Sequence, residues 1–212
     1  MARLLMLAAG AALTALLGFA ENPTAPQALP SIGVFLDFDS VPGAVPVEAM
    51  KREVDKIFKP SGVFLDWRLA AQNRGNEAFA GLVVLKFKGK CKVEGWTEPT
   101  TVGLFAVERT LGVTKVVNGK VLPFTEVSCD EVKHALAYVR PEADARERQR
   151  AFGIALGRVV AHELYHVLAR TTVHAAHGLA KASESLQDLV SVSNMGFQAE
   201  DSSAIRKGLT EQ

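Results

Sequence analysis

Apolar runs of strand length recur along the first two thirds of the chain. "SIGVFLDFD" alternates apolar and polar positions and is rich in β-branched and aromatic residues, which predicts a strand over residues 32–38. "VFLDWRL", residues 63–69, predicts a second strand, and the continuous apolar run of "AGLVVLKFKG", residues 80–89, suits a third at a central position in a sheet. "TTVGLFAVERT" and "KVLPFTEVSCD" predict two more strands, separated by a polar connection with the turn signal Asn118 and Gly119.

Three other segments have apolar residues at helical spacing. "VPVEAMKREVDKIFKPSG", residues 45–62, predicts an amphipathic helix that stops at the Lys-Pro-Ser-Gly end of this segment. A long helix is predicted from residue 141 to about residue 170, and a short one over residues 202–209. The apolar stripe of the long helix consists of Phe152, Leu156, Val160, Leu164 and Val167.

The order of these elements indicates a fold class. A strand, a helix, several strands, a long helix and a short C-terminal lobe are typical of an α+β domain, α/β-like in having a mixed sheet. Residues 21–30, "ENPTAPQALP", are rich in proline and show no apolar period, so they predict a linker. We therefore expect the folded domain to cover residues 31–212.

The N-terminus has the pattern of a secretory signal peptide. One arginine precedes an apolar run from Leu4 to Leu17, and small residues follow up to Ala20. The run is short for a membrane span, so a retained anchor is the weaker interpretation. We expect residues 1–20 to be removed, which places the mature protein outside the cell or in a periplasm without stable membrane insertion.

The charge balance bears on the possible partners of the protein, and the two cysteines bear on a possible disulfide. Removal of Arg3 leaves 23 of the 24 basic residues against 23 acidic ones, so nothing in the charge favours nucleic acid as a partner. The two cysteines, Cys91 and Cys129, predict one disulfide in an exported chain; two buried thiols are the alternative.

Candidate metal-binding and catalytic residues lie on the predicted long helix. His162 and His166 in "HELYH" are four residues apart, so their imidazoles lie on one helix face and can bind one Zn²⁺ ion. Glu163 is then placed to act as the general base that accepts a proton from an activated water. This pattern predicts hydrolysis of a peptide bond.

A catalytic zinc site normally has three protein ligands, and several residues downstream are candidates for the third. Thr172 has a neutral hydroxyl, which is a poor ligand. Glu184 or Asp188 could serve if a second helix packs against the first. We rank His174 first, His177 second and Glu184 third.

The zinc stretch resembles the signature of the metzincin metallopeptidases. "HELYHVLARTTVH" is similar to their zinc-binding motif, and "SVSNMGF", residues 191–197, looks like their Met-turn, with Met195 in the place of the methionine beneath the metal. "FQAEDSSAIRKGL", residues 197–209, resembles the closing helix of the matrixin branch, and "AGLVVLKFKG" and "GLFAV" its central and edge strands. The resemblance implies a mostly parallel mixed sheet, an active-site helix and a C-terminal lobe containing the Met-turn.

The chain departs from the family pattern at the third ligand. The turn glycine of the family would fall at Ala169 and its third ligand at Thr172. With His174 as the ligand, the connection is two residues longer, and an extra half turn of helix is expected to supply part of that length. Phe197 stands where some members carry a tyrosine that approaches the metal, so support from a phenol is not expected.

Together these features predict a secreted or periplasmic zinc endopeptidase acting on a peptide or protein substrate. The substrate is expected to lie extended along an edge strand near residues 103–107. One alternative is a metzincin-like protein that binds zinc or peptides without turnover. Another is a zinc peptidase of a different branch that uses Glu184 as its third ligand.

Overall fold

Five strands and four α-helices make up the described part of the chain. The computed structural model describes residues 31–75, 78–93, 110–139, 144–182, 188–189, 191 and 195–211. The strands are β1 (Ser31–Phe38), β2 (Phe64–Leu69), β3 (Gly81–Lys88), β4 (Gly112–Val117) and β5 (Lys120–Ser128). The helices are α1 (Ala44–Phe58), α2 (Cys129–Val139), α3 (Ala145–Ala169) and α4 (Ala199–Thr210).

The strands form one mixed sheet in the order β2-β1-β3-β5-β4. β1 pairs in parallel with β2 and β3, β3 pairs in parallel with β5, and only β4 runs antiparallel to its neighbour. The predicted mixed, mostly parallel sheet is therefore confirmed, as is the central position of the third strand. β4 occupies one edge of the sheet.

One hydrophobic core lies between the sheet and the helices. Alternate residues of β3, namely Val83, Leu85 and Phe87, are fully buried in it, as expected when one face of a strand packs against helices. α1 and α3 pack closely because Gly153 and Gly157 face α1: a Cβ at Gly153 would lie 2.4 Å from the carbonyl oxygen of Pro46. This close packing anchors the long helix that carries the histidines.

Two elements differ from the sequence prediction. The polar connection before β5 is itself the edge strand β4, and a tight turn with positive φ at Asn118 and Gly119 joins the two strands. The short helix α2 follows directly on β5 and was not predicted. The predicted strand over residues 100–110 lies outside the described residues except for Thr110.

The bounds of the three predicted helices lie within four residues of the observed ones. α3 begins one residue after Asp144, whose carboxylate accepts hydrogen bonds from the backbone N–H groups of Arg146 and Glu147, both at 2.8 Å. α1 ends at Phe58 and continues as a short 3-10 turn, Lys59–Ser61, with Gly62 in the left-handed region. The closing helix predicted over residues 202–209 is α4.

The predicted disulfide is present. Cys91, just after β3, is bonded to Cys129 at the start of α2, 38 residues later in the chain. None of the described helices combines the length and apolar character that crossing a bilayer requires. The predicted signal peptide and linker, residues 1–30, lie outside the described residues.

We expect Gly153→Ala to destabilise the fold. Alanine favours a helix interior over glycine, but the added methyl would contact the Pro46 carbonyl and the Ala49 side chain, at 2.6 Å from the latter. Overpacking of this kind costs about 1–3 kcal/mol of unfolding free energy. Urea unfolding monitored by circular dichroism measures it, with the exposed Arg150→Ala on the same helix as the control. Equal or greater stability of Gly153→Ala would contradict the close packing of α1 and α3.

Candidate metal centre

His162 and His166 lie one turn apart on α3, and each is oriented by a main-chain carbonyl. The Nδ1 atom of His162 donates to the carbonyl oxygen of Leu179 at 2.8 Å, and that of His166 donates to the carbonyl oxygen of Thr171 at 2.8 Å. A neutral imidazole has one N–H group. Both Nε2 atoms are therefore left with a lone pair, the form in which histidine binds a metal.

The two Nε2 atoms face each other at 3.1 Å. Burial lowers the pKa of both imidazoles, although the carbonyl hydrogen bonds act in the opposite direction, so neutral rings prevail at neutral pH. Two lone pairs at this distance repel unless a cation lies between them. Nitrogens about 2.0–2.1 Å from a tetrahedral zinc ion would be separated by about 3.3 Å, so this pair fits such an ion.

His174 completes a group of three histidines. Its ring stacks on His162, with centroids 5.3 Å apart, and meets His166 edge to face, with centroids 4.7 Å apart. One ring nitrogen from each of the three lies within 4.8 Å of the others. The structure thus brings His174, ranked first as the third ligand, together with His162 and His166.

The other candidate ligands lie elsewhere or outside the described residues. His177 is exposed and lies outside the three-histidine group. The Asp188 carboxylate accepts a hydrogen bond from Lys181 Nζ at 2.5 Å. Glu184 lies outside the described residues.

The chain reaches His174 without the expected extra half turn of helix. α3 ends at Ala169, and Arg170 adopts the left-handed conformation with φ 53° and ψ 38°. The backbone N–H of Thr171 then donates to the carbonyl oxygen of His166 at 3.1 Å, closing the helix. Relative to a turn glycine at Ala169, the helix is one residue longer, and the rest of the added length lies in the loop before His174.

The loop of residues 175–180 positions two of the three histidines. Ala175, next to His174, donates its N–H to the carbonyl oxygen of Ala180 at 2.8 Å. Leu179, which is fully buried, accepts from His162 and donates its own N–H to the carbonyl oxygen of Gly196 at 3.3 Å. Leu179 and Thr171 could not be identified from the sequence, since a main-chain carbonyl can accept a hydrogen bond whatever the residue type.

Glu163 is enclosed between α3 and the edge strand β4. It is 5% exposed, and its Oε2 accepts a hydrogen bond from Thr114 Oγ1 at 2.6 Å. A Cβ at Gly112 would lie 2.7 Å from Oε1, so only glycine leaves room for the carboxylate. Burial raises the pKa of the Glu163 carboxyl, while the Thr114 hydroxyl and the charge of a protonated His166 act against that rise.

An aromatic cluster supports the group from the C-terminal lobe. Phe197 packs edge-on against Phe58, with centroids 5.0 Å apart, and against Tyr165 at 5.7 Å. The Tyr165 ring lies 5.5 Å from that of His166, so this tyrosine packs beside the histidines. Met195 is partly buried and packs against the core; residues 192–194 of the predicted Met-turn lie outside the described residues.

Comparisons with known proteins show the fold. No family model matches the sequence, and no curated protein matches it. The crystal structure of archaemetzincin from Methanopyrus kandleri is similar to this chain, with a TM-score of 0.50 and 12% sequence identity. The similarity covers 87% of this chain and 98% of that chain, so the fold is metzincin-like.

We expect Glu163→Gln to stabilise the metal-free protein increasingly as pH rises. The folded carboxyl has a raised pKa, so wild-type stability falls as pH increases from the unfolded pKa to the folded one, whereas glutamine cannot ionise. The difference in Tm between variant and wild type should therefore be larger at alkaline than at acidic pH. The exposed Glu48→Gln is the control; a pH-independent difference for Glu163→Gln would refute the burial argument.

Proposed function

We propose that this chain is a zinc-dependent endopeptidase of the metzincin type, with His162, His166 and His174 as the zinc ligands and Glu163 as the general base. The observation that carries the proposal is the convergence of three histidines at the end of a buried helix, with the Nδ1 atoms of two of them already bonded to carbonyls. Neutral imidazoles with free Nε2 atoms suit zinc.

Zinc, Glu163 and Thr114 would have separate roles in the hydrolysis. When bound, zinc supplies a Lewis acid that polarises a peptide carbonyl and lowers the pKa of water to about 7. The Glu163 carboxylate would accept a proton from the attacking water and donate it to the leaving nitrogen. Its burial raises its pKa, which suits a group that must both accept and release a proton near neutral pH. Thr114 holds Oε2 and so orients the carboxylate.

The edge strand β4 is the surface that we assign to the substrate. It carries Gly112 and Thr114 against Glu163, and it pairs with β5 along one side only within the described residues. An extended peptide can add to such an edge through main-chain hydrogen bonds. The segment predicted for this role, residues 103–107, lies outside the described residues, and β4 takes its place in the proposal.

The proposal also includes the location of the protein and its branch among the metzincins. Export with removal of residues 1–20, to a secreted or periplasmic location, is supported by the disulfide between Cys91 and Cys129, since such bonds persist in oxidising compartments. A matrixin-like branch is suggested by the sequence of residues 191–209, of which the final part forms α4.

A second candidate is a metzincin-like protein that binds zinc or peptides without turnover. It is favoured by Phe197, whose ring packs between Phe58 and Tyr165 and offers no hydroxyl to a reacting carbonyl. Digestion of a broad peptide library by the zinc-loaded protein separates the two functions. Cleavage supports the peptidase, and intact peptides support the binding protein.

We expect Glu163→Gln to retain about one zinc per chain and to lose hydrolysis about 10²–10⁴-fold, because the ligands remain and the base is removed. Metal analysis and cleavage of the peptide library measure the two properties. The exposed Glu48→Gln should match wild type in both. Wild-type activity in Glu163→Gln would eliminate this carboxylate as the base.

His174→Ala and His177→Ala separate the candidate third ligands. Removing a true ligand from a three-histidine site should weaken zinc binding by at least about 100-fold, so we expect this loss in His174→Ala only. Competition with a chromophoric chelator measures the affinity. Weakened zinc binding in His177→Ala but not in His174→Ala, or in Glu184→Ala alone, would show that His174 is not the third ligand.

A further inference from the structure

A buried arginine lies one helical turn before His162. Arg158 on α3 is 3% exposed, and its Nε donates to Glu53 Oε1 on α1 at 3.0 Å. Glu53 is also buried, at 9% exposed. Removing two charges from water is costly, and apolar side chains often hold two helices together as well as such a pair does. The ion pair therefore points to a role beyond helix packing.

The rest of the guanidinium binds the main chain of the C-terminal lobe. Nη1 donates to the carbonyl oxygen of Asp188, and Nη2 donates to the carbonyl oxygen of Ser191 at 2.8 Å. Nη1 also lies 3.4 Å from the Ser191 hydroxyl oxygen. Because the guanidinium is a planar group with donors in fixed directions, these bonds set both the distance and the orientation of Asp188 and Ser191 relative to α3.

The same segment is linked back to the histidines. Ser191 leads within five residues to Gly196, whose carbonyl accepts the N–H of Leu179 at 3.3 Å. The Leu179 carbonyl in turn accepts the Nδ1 hydrogen of His162 at 2.8 Å. Arg158 and His162 are four residues apart and share a helix face. The described contacts thus form a circuit that leaves α3 at Arg158 and returns to it at His162, joined between Ser191 and Met195 by residues 192–194, which lie outside the described residues.

We propose that Arg158, held in place by Glu53, is a positioning residue of the histidine centre. Its bonds to the carbonyls of Asp188 and Ser191 locate the chain that supports Leu179, and Leu179 sets the tautomer and direction of His162. This inference rests on the proposed zinc function. Groups that orient a metal-binding histidine typically contribute about 10–100-fold to metal affinity.

The test is zinc binding by the full-length protein carrying Arg158→Met, Arg158→Lys or Glu53→Gln. We expect Arg158→Met to raise the zinc Kd about 10–100-fold, because the methionine side chain has no donor for the two carbonyls. Arg158→Lys keeps the charge without the fork of donors and should rescue part of the loss. The visible spectrum of the cobalt-substituted protein should change in the same order, since it reports ligand geometry.

Leu156→Ala is the matched control for simple loss of stability. Leu156 is buried on the same helix but takes no part in the circuit. We expect it to lower the unfolding free energy of the metal-free protein in urea, yet to leave the zinc Kd within about twofold of wild type, as expected for an independent site. A purely structural role for Arg158 would make its variants behave like this control.

The outcomes separate the two proposals. If wild type binds zinc and folded Arg158→Met keeps the wild-type Kd and cobalt spectrum, Arg158 has no positioning role, and the proposed zinc site stands. If Arg158→Met does not fold, Glu53→Gln and Arg158→Lys decide by the same two measurements, and wild-type values in both overturn the inference. A wild-type chain that takes up neither zinc nor cobalt overturns both proposals.

Discussion

Two imidazole nitrogens that face each other across 3.1 Å are the constraint on which the rest of this structure depends. His162 and His166 each use their N–H on a main-chain carbonyl, and burial keeps the rings neutral by lowering the pKa of each. Two such lone pairs gain nothing from being close in the absence of a cation. The surrounding packing must therefore hold the two nitrogens at this distance. The buried contacts of α3 with α1 and with the sheet provide that packing.

The carbonyls that orient these two rings come from outside the helix. Thr171 follows directly on the left-handed turn at Arg170, and Leu179 lies in the loop that also contacts Gly196. Helix end, loop and C-terminal lobe thus act on one pair of side chains. Glu163 is held by a strand instead, through Thr114 and the space left by Gly112. The candidate base and the candidate ligands are consequently positioned by different parts of the fold.

Much of this arrangement was predictable from residue patterns. Apolar periodicity located β1, β2, β3, α1 and α3, and the spacing of His162, Glu163 and His166 indicated the chemistry. β4 escaped prediction because its residues are mostly exposed, so the alternation that marks a half-buried strand is weak there. The approach of His174 depends on a left-handed Arg170 in a position where sequence rules expect glycine or asparagine. The carbonyls that orient His162 and His166, and the partners of Arg158, are set by tertiary packing. The local sequence pattern carries no information about such contacts.

The disulfide links the redox conditions around the protein to the strand that encloses Glu163. Cys91 and Cys129 close a loop of chain that contains both β4 and β5, and β4 is the strand that encloses Glu163. With the bond intact, an unfolded chain has fewer conformations available, which favours the folded state in which β4 lies beside α3. In a reducing environment the histidines would still be adjacent on their helix, but the strand that orients the carboxylate would be held by weaker constraints. In the proposed function, formation of the Cys91–Cys129 bond is therefore a maturation step for the site.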